Sequence, residues 1–156
     1  LGFFVDKSGN PGPRGWSGSM YPTGEGQKPV TGITWYEANA YSQFVGKRLP
    51  AFDEWWRAAL GNPDMNTQGK LIRQINFGHL ESGALNQVGD NFASLSEFGA
   101  YNMAGNVREW TSTYIDNKII YVGGSWKDPE YIFDPNWRDS YPPFLSDDVI
   151  GFRCAY

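Results

Sequence analysis

The chain has 156 residues, a formal net charge of −4 and only 19 % charged residues; this length supports one domain with a sizeable core, not two independently folded halves. The acidic balance argues against nucleic acid as a partner, because that affinity rests on Lys and Arg neutralising phosphates. The 19 Gly and 10 Pro exclude a helical bundle and predict loop-heavy architecture, while 17 % aromatic residues, including 7 Trp, must fill a core or line a recognition surface.

Cys154 is the only cysteine, so neither an internal disulfide nor a two-thiolate metal site can form within one chain. There is no run of about 18 apolar residues and no charged-then-apolar leader, which predicts no membrane insertion by this segment. The compartment is left open by these features.

In chain order, Leu1 to Pro29 holds two turn clusters, Gly9-Asn10-Pro11-Gly12-Pro13 and Thr23-Gly24-Glu25-Gly26, with Phe3, Phe4, Trp16 and Tyr21 as apolar anchors between them. It reads as packed loop. Thr34-Trp35-Tyr36-Glu37 has capping-box spacing, and Trp35, Ala38, Tyr41, Phe44 and Val45 recur at helical intervals until Gly46. A shorter helix is predicted over about Phe52 to Leu60, with Asp53 and Glu54 in its first turn, Gly61 just past its end and Ala51 a poor cap. Gly61 to Gly99 has no sustained period and reads as irregular structure. Ile119-Ile120-Tyr121-Val122, stopped by Gly123-Gly124, and Gly151 to Ala155 read as two core strands.

Several phrases then occur in order: Pro29-Val30-Thr31-Gly32-Ile33-Thr34-Trp35-Tyr36-Glu37-Ala38, Gly46-Lys47-Arg48-Leu49-Pro50, Glu54-Trp55, Phe98 to Trp110 (with Asn102-Met103-Ala104-Gly105-Asn106-Val107-Arg108-Glu109-Trp110), Gly123-Gly124-Ser125-Trp126 and Gly151-Phe152-Arg153-Cys154. Together they resemble the formylglycine-generating, sulfatase-modifying family from about Pro29 to the C-terminus. The resemblance implies an α+β, C-type-lectin-like fold of that type, with two helices, a small twisted antiparallel sheet and many loops. It also implies that residues 1–156 form a single such domain without the family's N-terminal portion, because members carry a further strand region ahead of the stretch resembling Phe3-Phe4-Val5.

In the oxidase members of the family, two cysteines lie three and eight residues beyond the serine of the Gly-Gly-Ser-aromatic phrase and bind copper; counted from Ser125 these positions are Asp128 and Phe133. A carboxylate does not replace a soft thiolate for monovalent copper, and a phenyl ring cannot ligate. The resemblance therefore implies a member without copper and without the oxidase chemistry. His79 has no second His or Cys near it in sequence, Ser125 lies in no Gly-x-Ser-x-Gly elbow, and Gly61 to Lys70 does not match a phosphate loop. Family calcium binding carries over to Asn102, Gly105, Val107 and Glu109, an oxygen set that suits a hard cation; the bland alternative is a loop tied by hydrogen bonds to backbone amides.

Between the framework phrases, Lys127 to Ile150 mixes rings and short acids without period. It reads as a displayed ligand-binding surface comprising Trp126, Asp128, Tyr131, Phe133, Asn136, Trp137, Asp139, Tyr141, Phe144 and Asp147. Such a patch resembles the variable proteins of diversity-generating retroelements and implies a protein or other macromolecular ligand. Two alternatives stand beside it: a formylglycine-generating-type oxidoreductase, and an accessory domain of a bacterial protein kinase, since members fused to such kinases have similar neighbours around Asp128-Pro129 and Tyr131.

Overall fold

The computed structural model describes residues 12–61, 85–89, 95–133 and 137–156. The described elements are helix α1 (Trp35–Phe44), helix α2 (Phe52–Leu60), strands β1 (Arg108–Ile115) and β2 (Lys118–Val122), a short 3-10 turn (Glu130–Phe133), and strands β3 (Asp139–Tyr141) and β4 (Ile150–Phe152). None of the described helices is long and apolar enough to cross a membrane. Most of the stretch read as irregular between Gly61 and Gly99, including the short apolar runs Leu71-Ile72 and Ile75-Asn76-Phe77 and also His79, lies outside the described residues.

Helix α1 starts where the sequence places it. The Thr34 hydroxyl accepts the Glu37 amide at 3.3 Å, and the Glu37 carboxylate accepts the Thr34 amide at 2.7 Å, so two end donors are satisfied reciprocally. Its inner face differs from the apolar stripe read from the sequence: Trp35, Ala38 and Ser42 are buried, whereas Tyr41 and Phe44 are exposed. Small Ala38 and Ser42 let the helix sit close to the core, and the rings of the next register are turned outward. Helix α2 has no side-chain cap from Ala51. Glu54 reaches back instead, accepting the Ala51 amide at 2.8 Å and both Arg48 guanidinium nitrogens at 2.6 and 2.7 Å. The Arg48 hydrogen bond, followed by that amide, holds the Glu54 carboxyl down at about 2.

The sheet runs β3-β2-β1-β4. β1 and β2 form an antiparallel hairpin through Asp116 and Asn117, both at positive φ (48° and 60°), as a two-residue primed turn requires. β3 adds antiparallel to β2, but β4 pairs parallel with β1, matching Arg108 with Ile150 and Trp110 with Phe152. The sheet is therefore mixed, correcting the all-antiparallel expectation. The last strand is reached by a long crossover beyond β3 and not by a hairpin, so it enters in the same direction as β1.

β2 is buried on both faces, which accounts for its unbroken apolar run. Ile119 and Tyr121 pack into a cluster with Trp35, Leu49, Trp110 and Ile150, while Ile120 and Val122 point the other way into a cluster with Trp55, Leu60, Met103 and Phe133. The buried indoles find partners: Trp35 Nε1 donates to the Thr111 carbonyl at 2.8 Å and Trp110 Nε1 to the Ile33 carbonyl at 3.3 Å. Gly151 of β4 sits against the backbone of Val30, whose carbonyl oxygen would lie 2.6 Å from any added Cβ. Gly151→Ala is therefore expected to cost about 1–3 kcal/mol by overpacking against rigid backbone, read as a lowered midpoint in urea unfolding; an unchanged midpoint would contradict the close approach.

Candidate functional site

After β2 the chain turns sharply at Gly123 and Gly124, both at positive φ (90° and 66°). The Phe133 ring lies against Gly124, where an added Cβ would come within 2.7 Å of the ring. Asp128 is 4 % exposed, and its Oδ2 accepts the Ser125 amide and hydroxyl, both at 2.8 Å, and Arg108 Nε at 2.7 Å. The second carboxylate oxygen accepts Arg108 Nη2. Burial pushes the Asp128 carboxyl up, but the Arg108 and Ser125 hydrogen bonds outweigh it and hold the group below the ordinary carboxylate range. Two residues expected on the displayed surface are thus inside the molecule: Asp128 closes a buried ion pair and a serine turn, and Phe133 fills the second core cluster. Ser125 is fully buried and serves the same turn.

The rest of the predicted surface falls into two groups. In the first, the Trp126 amide donates to the Asn106 carbonyl at 3.0 Å, the Lys127 ammonium lies 4.9 Å over the Trp126 ring, and the same ammonium pairs with Asp148 at 2.6 Å. Asp147 beside it is half-buried and shapes the turn: its carbonyl accepts the Gly32 amide at 2.9 Å and its carboxylate accepts the Val149 amide at 3.1 Å. In the second group, Trp137 and Tyr141 pack against Tyr121 with ring centroids at 5.8 and 6.4 Å, and exposed Asp139 accepts the Tyr121 hydroxyl at 3.0 Å. Burial pushes the Tyr121 hydroxyl up. Arg108 joins the groups, since its guanidinium lies 5.3 Å over the Tyr121 ring while it holds Asp128. Tyr131 and Phe144 are the exposed rings of the set, at 69 % and 42 %. Asn136 lies outside the described residues.

The loop expected to carry calcium is bent by two asparagines at positive φ, Asn102 (53°) and Asn106 (65°), both buried. Asn106 was not singled out from sequence. Its side chain accepts the Asn86 amide at 3.0 Å and donates to the Asn86 carbonyl at 3.3 Å, locking a distant strand of loop in place. The Gly105 amide donates to the Gly123 carbonyl at 2.7 Å, and Val107 is buried. Glu109, 4 % exposed, accepts Trp55 Nε1 at 2.7 Å and Arg153 through both oxygens at 2.5 and 2.6 Å, and Arg153 also donates to the Tyr101 carbonyl at 3.0 Å. All side-chain and carbonyl donors of this set are hard oxygens, which fits calcium, but its single carboxylate is shared with a guanidinium. Among the described residues, no group of three or more His, Cys, Asp or Glu is placed to hold a metal. Cys154 is half-buried, and burial pushes its thiol up.

Residues 6–156 match the Sulfatase-modifying factor enzyme 1-like domain. The chain belongs to this family. Among curated relatives, serine/threonine-protein kinase Pkn1 of Chlamydia trachomatis is 28 % identical over 158 residues, covering 85 % of this chain and 25 % of the kinase. Inactive C-alpha-formylglycine-generating enzyme 2 of Mus musculus is 31 % identical over 153 residues, covering 81 % of this chain and 48 % of that protein. The chain thus spans about a quarter to a half of these relatives. Of solved structures, Treponema denticola variable protein 1 superposes with a TM-score of 0.66 at 19 % identity, over 84 % of this chain and 72 % of that one, a likeness of fold.

Removing Asp128 would strand the Arg108 charge, so Asp128→Ala is expected to cost about 3–5 kcal/mol in chemical unfolding. The sign with pH follows from the depressed carboxyl. Its contribution is complete above the unfolded carboxylate value of about 4 and is lost as pH falls through the lower folded value, so the variant should lose less stability than the native chain on acidification below about pH 4. Parallel acid profiles for the two proteins would contradict the assignment.

Proposed function

We propose that this chain is a non-catalytic recognition domain that offers its aromatic and acidic C-terminal surface to a protein or other macromolecular ligand, as a retroelement-diversified variable protein. The observation that carries the reading is the fate of the two oxidase positions. Asp128 is taken up by Arg108 and Ser125, and Phe133 by the core, so neither offers a thiolate to a redox metal. The same segment that seals this place holds Tyr131 and Phe144 toward solvent on a scaffold tied by the Lys127–Asp148 pair and by the packing of Trp137 and Tyr141, and rings on a rigid frame give contact area at low entropic cost. The shared fold with a variable protein supports this use of the surface. A second reading, an accessory domain of a larger chain such as a kinase, is favoured by the quarter share of Pkn1 that this chain covers.

The surface divides into rings that can vary and rings that cannot. Tyr131→Ala is expected to change stability by less than about 0.5 kcal/mol, whereas Trp137→Ala, which opens the packing on Tyr121, should cost about 2 kcal/mol or more; both are read from urea midpoints. In sibling copies of the gene, differences should concentrate between residues 127 and 150 while Asp128 and Phe133 persist. Differences spread evenly along the chain would count against the variable-protein reading.

The proposal includes calcium on the loop of Asn102, Gly105, Val107 and Glu109, supported by the buried Asn102 and Glu109 and the bent backbone between them. Because Arg153 already balances Glu109, affinity belongs at the weak end for oxygen sites, about 10⁻⁴–10⁻³ M. Calcium at ten times that constant should stabilise the fold by about 1.4 kcal/mol over chelator. Identical melting in calcium and in chelator would remove the ion from the account.

A further inference from the structure

On the face of the molecule where α1 meets the loop of residues 12–31 lies a groove of about 430 Å³, lined by Pro13, Trp16, Val30, Ile33, Glu37, Tyr41 and Phe152. Three of its walls are aromatic. Tyr41 and Phe152 meet edge to face with centroids 5.7 Å apart, and Trp16 is fixed by its amide, which donates to the Pro13 carbonyl at 3.1 Å, and by a second edge-to-face contact with Tyr21 at 5.7 Å. Glu37 is the one charged residue in the lining. Its Oε2 accepts the Thr34 amide and hydroxyl, both at 2.7 Å, and among the described residues its Oε1 has no hydrogen-bond donor. The basic residues nearby, Arg14 and Lys28, line a separate depression that shares only Trp16 and Val30 with this one, and Lys28 is paired there with Glu25 at 2.8 Å.

Three aromatic rings around an apolar hollow, with one carboxylate and no competing cation in the lining, have a specific chemical complement. The negative ring faces attract a positive charge that carries its own apolar shell, and a strongly hydrated cation would lose too much solvation to enter. A neutral apolar body gains only area burial from such a groove, and an anion is repelled by Glu37. We propose that this groove binds an alkylammonium group, with Trp16, Tyr41 and Phe152 forming the cage and Glu37 supplying the counter-charge. The volume exceeds that of a trimethylammonium head, so the carbon chain of the amine lies in the groove as well. The chemistry is shared by free quaternary amines and by methylated lysine side chains. This site is separate from the C-terminal surface and does not depend on the function proposed for it.

The test is calorimetric titration of the intact chain with choline, with its neutral isostere in which carbon replaces the quaternary nitrogen, and with a peptide bearing trimethyl-lysine. Choline or the peptide should bind at least tenfold more tightly than the isostere, and whichever of the two binds better identifies the source of the ammonium. Glu37→Gln keeps an oxygen for the Thr34 cap while removing the charge, so it should weaken ammonium binding about tenfold and leave the isostere unchanged. Trp16→Ala should abolish both signals, with a melting curve to verify the fold. Equal affinity for choline and the isostere, or ammonium binding indifferent to Glu37→Gln, would overturn the proposal, and those two comparisons hold even if Trp16→Ala fails to fold.

Discussion

The contact on which the C-terminal half depends is the ion pair between Arg108 and Asp128. Arg108 opens the first strand, Asp128 sits in the turn that follows the second, and the pair fastens the irregular segment after β2 to the sheet. One face of the guanidinium covers Tyr121, against which Trp137, Tyr141 and Asp139 are arranged, and the carboxylate it holds also caps Ser125 and so sets the turn that presents Trp126 and Lys127. A buried charge pair is tolerable only when nearly every lone pair and donor is used, and here both carboxylate oxygens are engaged, one of them three times.

A second pair, Glu109 with Arg153, does similar work one strand position away, joining the first strand to the tail beyond the last and drawing in Trp55 from α2. Together the two pairs tie the start of β1 to the segment after β2 and to the tail after β4, beside the apolar packing of the sheet. The consequence is a division of labour. The buried acids and arginines hold irregular backbone in place, and Tyr131 and Phe144 stand exposed on the segment so held.

Much of this was legible in the sequence where a local rule determines the outcome. The Thr34 to Glu37 spacing and Gly46 bound one helix, Gly61 ended the other, and β2 read as a strand because burial on both faces needs an unbroken apolar run. β1 was not legible: Arg108-Glu109-Trp110-Thr111-Ser112-Thr113 mixes buried charge with hydroxyls, and the hairpin signal is Asp116-Asn117, a weaker turn pair than one containing glycine. The three residues of β3 carry no period at all, and the direction of β4 is set by the path that delivers it, which residue pattern does not encode. At the site, short acids and rings look alike whether displayed or buried. The distinguishing signs were present but indirect, in the Ser125-to-Asp128 spacing that allows a side chain to cap its own turn and in the paired glycines that make room for the ring of Phe133.

The central proposal is that Asp128 and Phe133, at the positions where the resemblance places the oxidase cysteines, serve the fold and hold no redox metal. Anaerobic titration with copper(I) against a competing chelator, followed by admission of oxygen and a cysteine-bearing peptide, tests it most directly. The account predicts no stoichiometric copper beyond what a single thiol such as Cys154 retains, no oxygen uptake and an unaltered peptide. One tightly held copper per chain, with the peptide cysteine converted to an aldehyde, would contradict it.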